Sequence, residues 1–292
     1  MIWESPFEST SLHPALAIER DEFELYYQPQ VEISSGGVVG LEALIRWNHP
    51  THGLLLPSVF IPIAETTGSI LPIGQWVIEQ ACRQMGLWRD QGMASPLMAV
   101  NISAAQFKLA SDLDRIVAES LAKFGVPPCA PELELTESVL METTQKHNEV
   151  LERLRRLGVR LAIDDFGTGY SSLSYLRRFP FDRIKIDKSF IDDVATQSDS
   201  IEIVRAIMTL AKALGMSTIA EGVESTAQVD KLRELGCEQI QGYVFSPPRP
   251  AADVAGLLAR KLEHADTGAV AAENPEKFSA KPPPCSPWSF AS

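Results

Sequence analysis

Long apolar runs are missing from this sequence. No stretch of about 18 consecutive apolar residues occurs, so no segment reads as a membrane-spanning helix. The first residues, MIWESPFEST, lack a basic segment followed by an apolar one and do not read as a secretory signal. Cysteine is scarce. Cys82, Cys129, Cys237 and Cys285 stand far apart, with no CxxC pair and no histidine at zinc-ligand spacing. That scatter argues against structural zinc and predicts buried or idle thiols in a reducing, cytoplasmic setting. Positive charge is short as well. With 26 basic against 38 acidic residues the formal net charge is −12, the opposite of what coating a nucleic-acid polymer demands. The balance leaves small phosphorylated ligands open, because carboxylates can hold metal ions and metal ions can hold phosphate.

Apolar material is abundant: 45% of the 292 residues, enough to fill a large core. Such a length suits one barrel of about 250 residues with short extensions, or two smaller domains. Residues 1–13 are polar and patternless and read as an extension or linker. From about Asp266 the composition shifts to Ala, Glu, Lys and Pro, ending in KPPPCSPWSFAS, so residues 266–292 are expected to be a disordered tail. Trp288 and Phe290 in it could dock as a short peptide, but composition favours an idle tail. Pro14–Asp21 reads as a helix that could continue from a longer parent with sensory domains.

Across residues 14–265, strand-like and helix-like segments alternate. Strands are predicted at Glu24–Glu32, Val38–Trp47, Leu97–Ile102, Glu132–Glu137, Arg160–Asp165, Arg183–Asp187, Ser217–Glu221 and Glu238–Phe245. Helices are predicted at Pro57–Glu65, Ile70–Gln91, Ala104–Phe124, Thr143–Leu157, Ser171–Arg178, Ser200–Leu214 and Thr226–Leu235. Gly92, Gly125, Gly158, Gly215 and Gly236 follow five of them, as C-terminal caps should. Only Ile33–Gly37, with its Ser-Ser-Gly-Gly, separates the first two strands, which predicts an antiparallel hairpin. The later strands follow helices and should be parallel. The fold class is therefore α/β, a TIM-like (β/α)8 barrel with an antiparallel first strand; an open doubly wound sheet is the alternative.

The acids are the informative feature, because chemistry in such a barrel sits at the C-terminal ends of the strands. Those ends carry Glu42 in GLEALIRW, Asn101 in AVNIS, Glu134 and Glu137 in ELELTES, and Asp164 and Asp165 in LAIDDFGTGYSS. Lys185 and Asp187 follow in RIKIDKS, Glu221 and Glu224 in TIAEGVES, and Gln241 in QIQGYVF. Each has a plain structural explanation. Glu42 could pair with Arg46, Asn101 could cap a turn, and Glu134 could face solvent opposite Leu133 and Leu135. Asp164-Asp165 could open a loop, Lys185 could pair with Asp187, and Gln241 could end a turn. Together they place so many oxygen donors on one rim that a shared purpose is the better account. A buried carboxylate cluster repels itself and needs cations. Oxygen donors without His or Cys suit Mg²⁺ or Mn²⁺ better than zinc, with Ca²⁺ entering as an inhibitor. The adjacent Asp164-Asp165 pair would suit two ions about 3.5–4 Å apart, a standard arrangement for phosphodiester displacement.

These residues carry a resemblance. The stretch from about Leu16 to Pro250 resembles the EAL domain family of cyclic di-GMP phosphodiesterases. It has YYQPQV (Tyr26–Val31), EALIRW (Glu42–Trp47), FIPIAE (Phe60–Glu65), NIS (Asn101–Ser103), ELTES (Glu134–Ser138), DDFGTGYSSLSYL (Asp164–Leu176), KID (Lys185–Asp187), EGVE (Glu221–Glu224) and QGY (Gln241–Tyr243). Ile45 stands where the family usually has Leu, and Thr66 where a second Glu is frequent.

The resemblance implies hydrolysis of cyclic di-GMP to linear 5′-pGpG with two divalent ions. Glu42, Asn101, Glu134 and Asp164 correspond to ligands of one ion, and Asp164, Asp165 and Glu221 to ligands of the other. Lys185 corresponds to the residue that holds or helps deprotonate the attacking water, and Gln241 to one that positions the site. Gln28, Arg46 and Asp187 correspond to substrate contacts, Arg46 to a phosphate; Glu137 and Glu224 support the site and its neighbouring loop. Asp164–Leu176 resembles a regulatory loop that couples dimerisation to metal occupancy. A homodimer through the helices Ser171–Arg178 and Ser200–Leu214 is expected. The rival class is a catalytically silent receptor for the same nucleotide, which in this family lacks one or more ligands.

Overall fold

The computed structural model describes residues 12–93, 96–109, 112–141, 145–169, 176, 179 and 181–258. The expectations for residues 1–11, for the tail at 266–292 with Trp288 and Phe290, and for most of the helix at 171–178 lie outside those residues. A short helix, Pro14–Glu19, precedes β1 (Phe23–Glu32). β1 and β2 (Val38–His49) form the expected antiparallel hairpin, pairing Gln28 with Glu42 and Tyr27 with Ala43. β3 (Gly53–Leu55) folds back on the end of β2. A parallel series then runs from β2 through β4 (Leu97–Asn101), β5 (Pro131–Thr136), β6 (Arg160–Phe166), β7 (Arg183–Ile186), β8 (Ser217–Ala220) and β9 (Gln239–Gln241). β9 returns antiparallel to β1, pairing Gln30 with Gln241, and β10 (Arg249–Pro250) adds to β1 outside the ring. Apart from β3 and β10 the strands close into an eight-stranded barrel, not an open sheet.

The intervening helices are Pro57–Thr67, Ile70–Asp90, Leu113–Phe124, Gln145–Leu157, Ser198–Ala213 and Thr226–Leu235. Gly125 (φ 63) and Gly236 (φ 86) end their helices in the left-handed conformation that suits glycine, each N–H returning to a last-turn carbonyl. Leu133, Leu135, Leu161, Ile163, Ile184 and Ile186 belong to one continuous apolar core. They alternate along β5, β6 and β7 with Glu132, Glu134, Ala162, Asp164, Arg183 and Lys185. No helix among the described residues is long and apolar enough to cross a membrane.

Several boundaries differ from the sequence pattern. Ala104–Phe124 is two helices, Ala104–Leu109 and Leu113–Phe124, with Asp112 at the N-cap position of the second. Glu137 does not end β5 but opens a helix, Glu137–Met141. β8 stops at Ala220, so Glu221 lies in the following loop. The last strand ends at Gln241, not Phe245. There Val223 N–H bonds the Gln241 carbonyl (3.1 Å) and Val244 N–H bonds the Val223 carbonyl (3.0 Å), turning the chain onto the loop after β8. Gly242 permits that approach: a Cβ at its position would meet the Val223 carbonyl oxygen at 2.0 Å. Cys82 and Cys237 are buried free thiols as expected, whereas Cys129 is disulfide-bonded.

Candidate active site

Barrel closure turns strand alternation into convergence. β2 and β7 lie on opposite sides of the ring, yet Lys185 Nζ on β7 is 3.8 Å from Glu42 Oε2 on β2. Both side chains therefore point into the lumen. Lys185 Nζ also lies 2.7 Å from Glu134 Oε2, 3.0 Å from Asp164 Oδ1 and 2.8 Å from Glu221 Oε1. Four carboxylates from β2, β5, β6 and the loop after β8 thus surround one ammonium that is 1% exposed. Asn101 joins them at the end of β4: its Nδ2 donates to Glu42 Oε1 at 2.6 Å. The register explains this, since β4 places Asn101 beside Glu134, and β5 places Thr136 beside Asp164.

Asp165 arrives by a different route. In a regular strand, neighbours point to opposite faces. Asp165 has φ 52, a left-handed conformation Asp tolerates better than most residues, and the β6–β7 register slips between Ile163 and Phe166. The slip lets consecutive carboxylates reach one mouth: Asp164, Asp165 and Glu221 each offer an oxygen within 4.8 Å of the others. The Asp165 N–H also donates to Asp164 Oδ1 at 3.0 Å.

One ammonium does not balance this charge, and the acidities reflect it. Burial is the main cause lifting Glu221 to about 8; Lys185 opposes the rise, and Asp164 and Glu42 add to it. Burial, then repulsion from Asp164 and Asp187, lifts Asp165 to about 6. Glu134 is raised well above the carboxylate range by burial, only partly offset by Lys185. Burial would lower Lys185, but Asp164, Glu134, Glu221 and Glu42 outweigh it and hold its proton firmly. The residues present fit hard divalent cations: all donors are oxygens, and Glu134 Oε1 is buried with no hydrogen-bond partner.

A family model described as the EAL domain matches residues 12–248. The chain belongs to the EAL domain family. This EAL domain is 46% identical over 243 residues to the bifunctional diguanylate cyclase/cyclic di-GMP phosphodiesterase MucR of Pseudomonas aeruginosa, covering 83% of this chain and 35% of MucR. It is 46% identical over 242 residues to the cyclic di-GMP phosphodiesterase NbdA of the same organism, covering 83% of this chain and 31% of NbdA. The chain thus spans about a third of the length of these curated relatives. Among solved structures, the MucR phosphodiesterase in complex with c-di-GMP superposes with a TM-score of 0.78 at 46% identity, covering 82% of this chain and 96% of that one.

Around the cluster of this EAL domain, Gln241 Nε2 donates to Glu42 Oε2 and, at 3.1 Å, to Gln28 Oε1. Arg46 lies over the Tyr26 ring (5.5 Å to its centre), donates to the Ile45 carbonyl at 2.9 Å and has no carboxylate partner among the described residues. The pairing of Glu42 with Arg46 is therefore not what occupies Glu42. Glu137 accepts from Gly167 N–H at 2.8 Å at the base of the loop that follows β6. Asp187 and Glu224 stand outside the Lys185 cluster. Asp187 caps the helix Lys188–Ile191 by accepting from Ser189 N–H at 3.0 Å, so no Lys185–Asp187 pair forms. Glu224 pairs with Lys188. Three residues that sequence reasoning passed over also belong here. Tyr243 is 63% exposed and lies near Arg46. Gln30 and Arg183 lie buried beneath the cluster. Tyr243 stood in the QGY motif, but its exposure is a property of the turn at Gly242, which the sequence pattern placed inside a strand.

Proposed function

We propose that this EAL domain is a metal-dependent phosphodiesterase that hydrolyses cyclic di-GMP to linear 5′-pGpG. The observation that carries the reading is the convergence of Glu42, Glu134, Asp164, Asp165 and Glu221, from separate strands and loops, at one mouth of the barrel. Names of similar proteins and the nucleotide in the similar structure support the substrate. Glu42, Asn101, Glu134 and Asp164 would hold one Mg²⁺ or Mn²⁺, and Asp164, Asp165 and Glu221 a second. Ions bound there supply the charge that activates water and offsets charge building on the phosphate.

The chain's own residues do the rest. Arg46, which has no carboxylate partner among the described residues, takes a phosphate oxygen through its guanidinium fork. Gln28 and Asp187 line the approach of the nucleotide. Lys185 keeps the carboxylates gathered and orients the attacking water, and Gln241 holds Glu42 at a fixed angle. The water oxygen then bonds to one phosphorus in line with the departing 3′ oxygen; the P–O3′ bond breaks, the water gives up a proton and the 3′ oxygen takes one up to leave as a hydroxyl, opening the ring to a terminal 5′ phosphate. All six residues assigned as ligands are present, which favours the enzyme over a silent receptor. The deciding experiment is chromatographic product analysis after incubation with cyclic di-GMP and Mg²⁺ or Mn²⁺. Linear 5′-pGpG should form with the native chain. Asp165→Asn should lose at least about 100-fold in turnover yet still bind nucleotide. Undiminished hydrolysis by that variant would reject the two-metal reading.

A further inference from the structure

Beneath the carboxylates lies a second set of buried polar groups that the proposed chemistry does not use directly. Glu132 and Arg183 sit two residues before Glu134 and Lys185 on the same strand faces, and Gln30 meets them from β1. All three are at most 4% exposed. Arg183 Nη1 lies 3.0 Å from Glu132 Oε1 and donates to Gln30 Oε1 at 2.9 Å. Gln30 Nε2 donates to Gln241 Oε1 at 3.1 Å. Gln241 Nε2 donates to Glu42 and to Gln28, and Gln28 Nε2 ends the chain on the Ser246 carbonyl at 3.3 Å.

A glutamine amide has two orientations of nearly equal shape and opposite polarity. The ends of this chain choose between them. A guanidinium carries only donors and a carboxylate only acceptors. Gln30 must therefore turn its oxygen to Arg183, which leaves its NH2 for Gln241. Gln241 must then offer oxygen to Gln30 and NH2 to Glu42. Reversing Gln30 alone would set donor against donor at Arg183, and reversing Gln241 would set oxygen against carboxylate. Each reversal leaves buried groups unsatisfied, the costly condition for a polar interior.

We propose that Arg183 is a positioning residue: through Gln30 it fixes the polarity of the Gln241 amide and so holds Glu42 in its metal-binding orientation. Gly40 leaves room for the relay, since a Cβ there would meet Gln30 Oε1 at 2.4 Å. The inference rests on the reading of Glu42 as a metal ligand.

Three variants of the full chain test it. Glu132→Leu/Arg183→Met replaces the buried pair with apolar groups, which interiors commonly tolerate, and removes the donor that sets polarity. Gly40→Ala displaces the Gln30 amide while keeping every charge. Arg183→Lys keeps a donor-only end. Thermal melting without metal checks folding; calorimetric Mn²⁺ affinity and the kcat and KM for cyclic di-GMP are the readouts. The double variant and Gly40→Ala should each lose about tenfold in Mn²⁺ affinity and in kcat, with KM within about twofold, whereas Arg183→Lys stays within about threefold of the native chain. A folded double variant with native Mn²⁺ affinity and kcat overturns the relay. Should the double variant not fold, native Mn²⁺ affinity in Gly40→Ala overturns it instead. A native chain that binds Mn²⁺ without cutting cyclic di-GMP would defeat the functional reading, and the affinities alone would then decide the relay.

Discussion

Replacing Lys185 by methionine probes the charge balance on which the site depends. The ammonium is 1% exposed and is the cation shared by Glu42, Glu134, Asp164 and Glu221 at 2.7 to 3.8 Å. Removing one partner of a buried ionic group costs about 3–5 kcal/mol, because the remaining charges keep their desolvation penalty and lose their compensation. At roughly 2–4 °C per kcal/mol for a domain of this size, the metal-free variant should melt about 10 °C below the native chain at pH 8. The pH dependence follows from the sign of the carboxyl shifts. A carboxyl raised in the folded state binds protons there that the unfolded chain has released, so stability falls as pH rises from the unfolded value toward the folded one. Glu221, already at about 8, and Glu134 rise further once Lys185 is gone. The variant's deficit should therefore be small at pH 5 and grow toward pH 8. Differential scanning calorimetry in chelator at a series of pH values reads this directly. Equal melting temperatures at pH 8, or a deficit independent of pH, would refute the account of Lys185 as the cluster's compensating charge.

Mg²⁺ or Mn²⁺ binding at pH 7 should release protons, because Glu221 titrates at about 8 in the metal-free chain and must give up its proton to ligate. Calorimetric titrations in two buffers of different ionisation enthalpy would show it as a buffer-dependent heat, and buffer-independent heats would contradict it. Gly242→Ala should destabilise the chain by about 1–3 kcal/mol, since its Cβ would collide with the Val223 carbonyl and the backbone would have to shift. An unchanged denaturation midpoint would argue against so close a strand–loop approach. The chain should form a homodimer that uses the helix Ser198–Ala213, which carries the 41%-exposed Ile203. Light scattering should give twice the monomer mass at high concentration, and a monomer there would remove the dimer proposal.

Much of the barrel was legible because its strands state their faces plainly. Glu134 between Leu133 and Leu135, and Lys185 between Ile184 and Ile186, are alternations that survive any argument over boundaries. What alternation does not say is which face becomes the lumen, since that is decided only when β9 closes on β1. Arg183, Glu132 and Gln30 therefore looked like ordinary strand residues, although closure buries them together. Asp187 shares the alternation of Lys185, but β7 stops at Ile186 and the Asp187 side chain turns to cap the next helix. Asp165 shows the reverse case. Regular alternation would send it away from Asp164, and only its left-handed backbone brings it to the mouth. The strand ends carry the chemistry, and they are where periodicity stops and local backbone geometry takes over.

The depth of each charge separates the groups that hold the barrel from those that equip it. Lower in the lumen, Glu132 faces Arg183, one acid to one base, and both are sealed from water. One layer up, a single lysine serves four carboxylates, of which Asp164 and Glu221 keep 11% and 17% of their side chains exposed. A fold selected for stability alone would match charges at both depths or fill both with branched apolar side chains, as barrel interiors commonly are. An excess of acids over bases at the layer where cations and solvent can enter is what a site built to take up positive charge requires. The apolar shell of Leu133, Leu135, Ile163, Ile184 and Ile186 lets the barrel carry that imbalance. Neutralising the mouth by substitution should therefore raise metal-free stability while abolishing metal uptake, whereas breaking the Glu132–Arg183 pair on one side should lower stability with or without metal.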